Sequence, residues 1–535
     1  MRTHKKATDT ENLLLGDRQF GRAQRVATAK RGMVATAHHR ATEAGVEILA
    51  AGGNAIDAAV AAAFALGVCE PAASGLGGQT MMMIRHQASG RTLALDGSSR
   101  APNRATLDSL TPEDLKTGYR AATVPSTPAV LRYALEHYGR LKLPAVLAPA
   151  IRLAEEGYEV SELQRQLTRR EREKLLAGTG GRFFLRPDGR AYAAGAVHKQ
   201  PVLAETLRRL ARRGVRDFYA GGIAELIHED MARNGGLIRK DDLAQVPRPI
   251  ERRPLMGRFG EYRVFTFPLP GAGRTLIEML NVYESLPAKL KNIDTPEGAL
   301  ALATLIRQAF IDRRDRPFDP NYYGQVPVKK MLSVDYARSV GRRIARRVAS
   351  HGETTHLSVM DNEGNVVALT QSIEKVYGSC CATPELGFLY NNYMSAFEYK
   401  DPSHPYYLRP NAAPWASVAP TIVFHRRKPW LAIGSPGSER ITPSILQVMI
   451  RLRDHTPMAA VDAPRLHCSL SKRVSLEAAR MSDEIPEILK QHGFEVDARE
   501  PYSFYLGCVQ LVMRDAHGFI GVADPRRDGS ARGPH

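Results

Sequence analysis

The spacing of apolar positions changes character once along the chain, near residue 350. Over residues 128–245 apolar side chains recur three and four positions apart, in VLRYALEHY, VLAPAIRLAEE and IAELIHEDMA, and that spacing predicts helices. From 354 onward HLSVMD and NVVALTQSI are apolar runs rich in β-branched residues, separated by Asp361, Asn362 and Gly364, which predicts a hairpin. APTIVFH, PWLAIGS and LGCVQLVMR read as further strands, and ITPSILQVMIRLRDH reads as a helix. Nearer the start, Gly52 and Gly53 close one helix, while Asn54 and Asp57 cap the alanine-rich helix that follows. Residues 1–31 are polar and basic without periodicity, and 525–535 form a Pro/Gly/Arg tail; both are expected to be disordered. What remains is an α+β layered body over 32–524.

If Asn362 and Glu363 form the hairpin tip, Thr354 lies opposite Gln371 and beside Ser372. Two hydroxyls then meet at a strand start, directly after the polar loop His351-Gly352-Glu353. An N-terminal nucleophile is made at such a junction: a hydroxyl attacks the preceding carbonyl, and afterwards its freed α-amine serves as base. Paired threonines before a strand also arise from β-propensity and turn capping alone.

Composition narrows the class. The chain has 535 residues, 43% hydrophobic and 24% charged, which is globular. No apolar run approaches the roughly 20 residues of a membrane span, and no signal-peptide core of about 7–15 apolar residues opens the chain, so a cytoplasmic protein without a membrane partner is expected. Five cysteines without a CxxC pair imply reduced thiols; of these, adjacent Cys380 and Cys381 read as small buried hydrophobes before reactive groups. With no HExxH pair and no Walker lysine, neither a metal nor a cofactor is expected. His38 and His39 read as a polar helix start that could also line a site. The net charge is +18, much of it arginine on helix faces such as 208–216 and 342–347. No nucleic-acid-binding motif accompanies it, so no nucleic-acid partner is expected and the field suits a small anionic substrate.

One stretch carries more. Thr354-Thr355-His356-Leu357-Ser358-Val359, Gly364-Asn365, Val367-Ala368, Thr370, Ser372-Ile373-Glu374 and Tyr377-Gly378 resemble the signature of the γ-glutamyltransferase (γ-glutamyl transpeptidase, glutathione hydrolase) family of Ntn-hydrolases, with Ser372 in place of Thr. Similar segments are Gly32–Thr36, Glu70-Pro71 through Gly78, Pro149–Ala154, Phe218–Gly221, Asn391-Asn392 and Gly434–Gly437. The resemblance implies a four-layer αββα sandwich made as one precursor. Self-cleavage between Glu353 and Thr354 would leave a large subunit, 32–353, and a small subunit, 354–524, which stay associated. It further implies Thr354 as nucleophile, Ser372 as its hydrogen-bond partner, and the backbone N–H groups of Gly437 and Ser438 as the oxyanion hole, with Ser438 where the family has Gly.

The departures fall where the family grips glutamate. Ser98 occupies the place of the carboxylate-binding arginine, and Arg100 follows two residues on. Of the paired serines Ser417 remains and the other is Ala416; Ala396 replaces the acid that meets the α-ammonium; Tyr393 and Glu374 hold other substrate-facing positions. A buried ammonium without a carboxylate costs several kcal/mol. The resemblance therefore points to a divergent branch: an amidohydrolase or acyltransferase on a γ-glutamyl or related acyl amide, hydrolysis favoured over transpeptidation. The alternatives are an acylase or C–C hydrolase on a non-glutamyl anionic acyl group, and an unprocessed, non-catalytic basic binding protein.

Overall fold

Two seven-stranded antiparallel sheets lie face to face in the computed structural model, which describes residues 24–245, 249–315, 332–333, 335–337, 353–404 and 406–534. The first runs, in spatial order, Ser530–Arg532, Gly32–Thr36, Glu353–Asp361, Val366–Glu374, Gln79–His86, Arg91–Gly97 and Ile250–Arg252. The second runs Val26–Ala29, Phe519–Ala523, Gln510–Arg514, Lys428–Gly434, Thr421–His425, Tyr262–Thr266 and Leu255–Phe259.

The period-two alternation of a strand decides which residues meet which layer. Leu357, Val359, Val367 and Leu369 turn outward onto helices Ala55–Cys69, Thr127–Tyr138 and Leu143–Glu156. Met360, Val366 and Ala368 turn inward to Ile422, Ala432 and Val512 of the second sheet, whose far side, with Leu431, Ile433 and Leu511, is covered by helices Gly273–Ser285 and Ile441–Arg451. The result is the α+β, four-layer αββα sandwich. Its central strands are covered on both faces, which is why they read as near-continuous apolar runs.

Helix Ala55–Cys69 is almost wholly buried, and alanine makes that possible because small side chains let helix and sheet approach closely. Its start is the expected one: Asn54 accepts from the Ile56 and Asp57 N–H groups, and Asp57 returns a bond to the Asn54 N–H in a capping box.

Two expectations are corrected. The hairpin tip has three residues, because Asp361 Oδ1 accepts from the N–H groups of Glu363, Gly364 and Asn365 and Gly364 takes φ +102°. The register shifts by one, so Thr355 and not Thr354 opposes Gln371. The tails are the second correction. Val26–Ala29 is already a strand, and the Pro/Gly/Arg segment expected to be disordered is folded as far as it is described. Ser530–Arg532 pairs with Gly32–Thr36, while Arg526 is fully buried between Glu477, at 2.7 Å, and Asp524, at 3.1 Å. Arg526 and Arg527 are not solvated charges but partners of Glu477, Asp524 and Glu70, and composition alone does not reveal such partners. Residues 1–23 lie outside the described residues.

Two outcomes are expected. Arg526→Ala removes one of two guanidiniums from each carboxylate, leaving Asp524 with Arg465 and Glu477 with Arg480, and should lower the unfolding free energy in urea by about 1.5–3 kcal/mol. Burial holds His356 down to about 3 and His198 to about 4, and lowers His38 further below its ordinary value. These imidazoles are neutral when folded and take up protons on unfolding below about 6.5. Stability should therefore fall as pH drops from about 6.5 toward about 3, with proton uptake on unfolding measurable by calorimetry in buffers of different ionisation enthalpy.

Candidate active site

Strand Glu353–Asp361 begins with a register break between Glu353 and Thr355, where Glu353 pairs with Glu374 and Thr355 with Gln371. Between these pairs one residue, Thr354, faces two, Ser372 and Ile373. A bulge of this kind re-aims one side chain, and here it brings Thr354 Oγ1 to 3.4 Å from Ser372 Oγ, both hydroxyls buried. Ser372 Oγ also accepts from the Glu374 N–H at 2.9 Å, drawn back by a left-handed Glu374 backbone at φ +75°.

Thr355 points the other way. Its hydroxyl donates to Glu70, at the C-terminal end of helix Ala55–Cys69, and Glu70 is in turn paired with Arg527. An acid at a helix C-terminus opposes the macrodipole and calls for a cation, and Arg527 supplies one from the last residues of the chain. This anchor of the strand start was not identified from sequence; the one signal for it is that misplaced acid.

Tyr393 is buried within hydrogen-bonding reach of Ser372 and Gln79, and burial, then the Glu374 carboxylate, push its phenol well up. Its N–H donates to Asn391 Oδ1 at 3.0 Å, which also accepts from the N–H and hydroxyl of Thr123. The Thr123 hydroxyl also lies 2.8 Å from Ser99 Oγ, and Ser99 donates to Gln79 Oε1. Thr354, Ser372, Glu374 and Tyr393 thus form one cluster on a braced polar floor.

The remaining expected residues are carried by other segments of the chain. Ser98 donates to Asp96 at 2.6 Å, and Asp96 is held by Arg252 at 2.7 Å, so the serine in the arginine's place is already engaged. Arg100 is 8% exposed with its Nε unpartnered, and Ser417 is equally buried with an unpartnered Oγ. No hydrogen bond among the described residues joins either to Thr354. Gly437 and Ser438 follow strand Lys428–Gly434, which stacks on the nucleophile strand so closely that a Cβ on Gly434 would lie 2.2 Å from the His356 ring. Gly437 has φ +117° and Ser438 φ +53°, so the serine that replaces glycine adopts a left-handed conformation costing on the order of 1 kcal/mol. The Glu353 side chain and His351 lie outside the described residues. Burial pushes Cys380 up to about 12 and Cys381 to about 11, which suits packing rather than reactivity. His38 caps its helix by accepting from the Arg40 N–H.

The chain matches the gamma-glutamyltranspeptidase family over residues 41–533. It belongs to that family. It is 33% identical over 534 residues to the glutathione hydrolase proenzyme of Escherichia coli (strain K12), covering 93% of this chain and 91% of that one. The acylase ACY 1 proenzyme of Pseudomonas sp. (strain V22) is 35% identical over 466 residues, covering 82% and 83%. Among solved structures, cephalosporin acylase from Bacillus halodurans superposes with a TM-score of 0.87 at 30% identity, covering 97% and 98%. As a member of the gamma-glutamyltranspeptidase family the chain is an amidohydrolase/acyltransferase-type enzyme.

Thr355→Val tests the anchor. Losing a hydrogen bond to a charged acceptor costs about 1.5–3 kcal/mol, so amide hydrogen exchange at the strand start should speed by about tenfold or more. Thr355→Ser, which keeps the hydroxyl, should restore protection.

Proposed function

We propose that the protein is a self-processing N-terminal threonine hydrolase of the gamma-glutamyltranspeptidase family that hydrolyses an acyl amide through an acyl-enzyme on Thr354. The observation that carries this reading is the Thr354 hydroxyl, swung by a bulge onto Ser372 one residue after Glu353. In the precursor, Thr354 Oγ attacks the Glu353 carbonyl carbon, the peptide C–N bond breaks to give an ester, and water hydrolyses the ester. This frees the Thr354 α-amine. The amine then takes the hydroxyl proton as Oγ attacks the substrate carbonyl, and the same proton passes to the leaving amine. Water enters the acyl-enzyme by the reverse proton route and releases the acid. Ser372 holds Oγ in line, and the N–H groups of Gly437 and Ser438 take the oxyanion, where one donor is worth about 3–4 kcal/mol of barrier.

The acyl group is read as anionic and as lacking an α-ammonium. The place of the family's ammonium-binding acid is Ala396, Tyr393 fills the space beside Glu374, and the unpartnered donors Arg100 Nε and Ser417 Oγ suit an acceptor such as a carboxylate. These features favour a second reading within the same chemistry, an acylase on a non-glutamyl acid. With the glutamate clamp lost, release of the acyl-enzyme by water is read as favoured over transfer to an amino-acid acceptor.

The test has two stages. By intact mass, the wild type should separate into fragments 1–353 and 354–535, with Thr354 N-terminal, while Thr354→Ala stays whole; if both stay whole though folded, the threonine mechanism fails and a non-catalytic binding protein replaces it. The processed enzyme is then given a γ-glutamyl anilide beside its glutaryl counterpart, which lacks only the ammonium. We expect kcat/KM to favour the glutaryl compound by at least about tenfold, from the cost of burying an unpaired ammonium; the opposite preference returns the substrate to glutamate.

A further inference from the structure

Away from the Thr354 cluster, a cavity of about 430 Å³ is lined by Arg165, Arg169, Arg172, Arg186, Arg190 and Tyr192. Its volume is within the range of small-ligand sites. Helix Glu162–Arg170 contributes Arg165 and Arg169, four residues apart and hence on one face. Arg172 opens the next helix, and the loop 186–194 closes the cavity from the other side.

The charges are not self-compensated. Arg165 is held by Glu162 at 2.6 Å and Arg186 by Asp188 at 3.3 Å. Arg172 spends its Nε on the Gly189 carbonyl at 2.7 Å, which fastens loop to helix and keeps its charge. The side chains of Arg169 and Arg190 make no ion pair or hydrogen bond among the described residues. Five guanidiniums therefore converge against two carboxylates. Ala191, Ala193 and Ala194 add no bulk, and the Tyr192 ring is fixed edge-on against His198 with centroids 4.9 Å apart, a rigid apolar wall beside the cations.

We propose that this cavity binds a small anion carrying two or more phosphate groups, free or as part of a nucleotide. Guanidinium forks match phosphate oxygens two at a time, which a diffuse surface charge does not. A pocket of this size suits a compact ligand; a nucleic-acid strand needs a longer groove that tracks its backbone. The inner face of the same helical segment packs on the chain just after Glu374, where Thr168 Oγ1 lies 2.7 Å from the Tyr377 hydroxyl and the Gly180 N–H donates to the Cys380 carbonyl at 2.9 Å. An occupant would thus sit on the outer side of the segment that supports the catalytic hairpin.

The test is calorimetric titration of the full chain with inorganic tripolyphosphate and, separately, ATP, at about 150 mM salt so that diffuse charge attraction is screened. We expect one saturable site per chain. Arg169→Ala with Arg190→Ala should weaken it at least about tenfold, whereas Arg212→Ala with Arg213→Ala, which removes equal charge from the exposed end of helix Pro201–Arg213, should leave it unchanged. Tighter binding of ATP assigns the site to nucleotides and equal binding assigns it to the phosphate chain alone; both support the site. Absence of saturable binding to either probe, or equal weakening in the two double variants, overturns it.

Discussion

Strand Glu353–Asp361 is covered on both faces, and the arrangement of the rest follows from that cover. Helix Ala55–Cys69 lies over one side and the second sheet over the other, so each inward polar group needs a partner within the protein. His356 finds Thr370 at 2.8 Å and Ser358 at 3.1 Å, and Ser358 finds the Gln510 carbonyl at 3.2 Å. The strand is thereby locked in register along its length. Only at its first residues does the ladder break, and there a hydroxyl is released from pairing and turned onto Ser372.

That break is held from two directions. On the helix side Thr355, Glu70 and Arg527 join the third residue of the strand to the end of helix Ala55–Cys69 and to the C-terminal segment. On the other, the chain from Tyr393 through Asn391, Thr123 and Ser99 to Gln79 supports Ser372 from beneath. Rigidity of this kind costs nothing at the moment of reaction, because the groups are ordered when the protein folds. It also explains why the arginine-rich C-terminal segment is part of the fold: Arg25 of the opposite end donates to the Arg527 and Gly529 carbonyls at 2.6 and 2.7 Å, closing the sheet around it.

Specificity is a separate layer on this scaffold. The positions proposed to read the acyl group, Ser98, Tyr393, Ala396 and Ala416, depart from the family pattern, while Thr354 and Gly437 keep it and Ser372 keeps a hydroxyl. One scaffold can serve acylases and glutathione hydrolases alike because the reacting atoms are carried by the central strands and the acyl group is read by loops around them.

The sequence by itself determined the elements with strong local signals. The hairpin strands, the capped alanine helix, the late helix Ile441–Arg451 and the neighbourhood of Thr354 and Ser372 all follow from period, turn residues and motif. The resemblance also marked Ser438 as standing where the family has Gly, and the structure gives it the left-handed φ of +53°. Tertiary structure alone decided the rest. The one-residue register shift came from three N–H groups converging on Asp361, and the bulge, not simple pairing, brought the two hydroxyls together. The folded C-terminal segment and the Thr355–Glu70–Arg527 anchor depend on charges far apart in the chain: Glu477 becomes the partner of Arg526, and Glu70 of Arg527, only after the layers close. Local pattern records what a residue prefers, but a buried charge is stable only beside its counter-charge, and that pairing exists only in the folded chain.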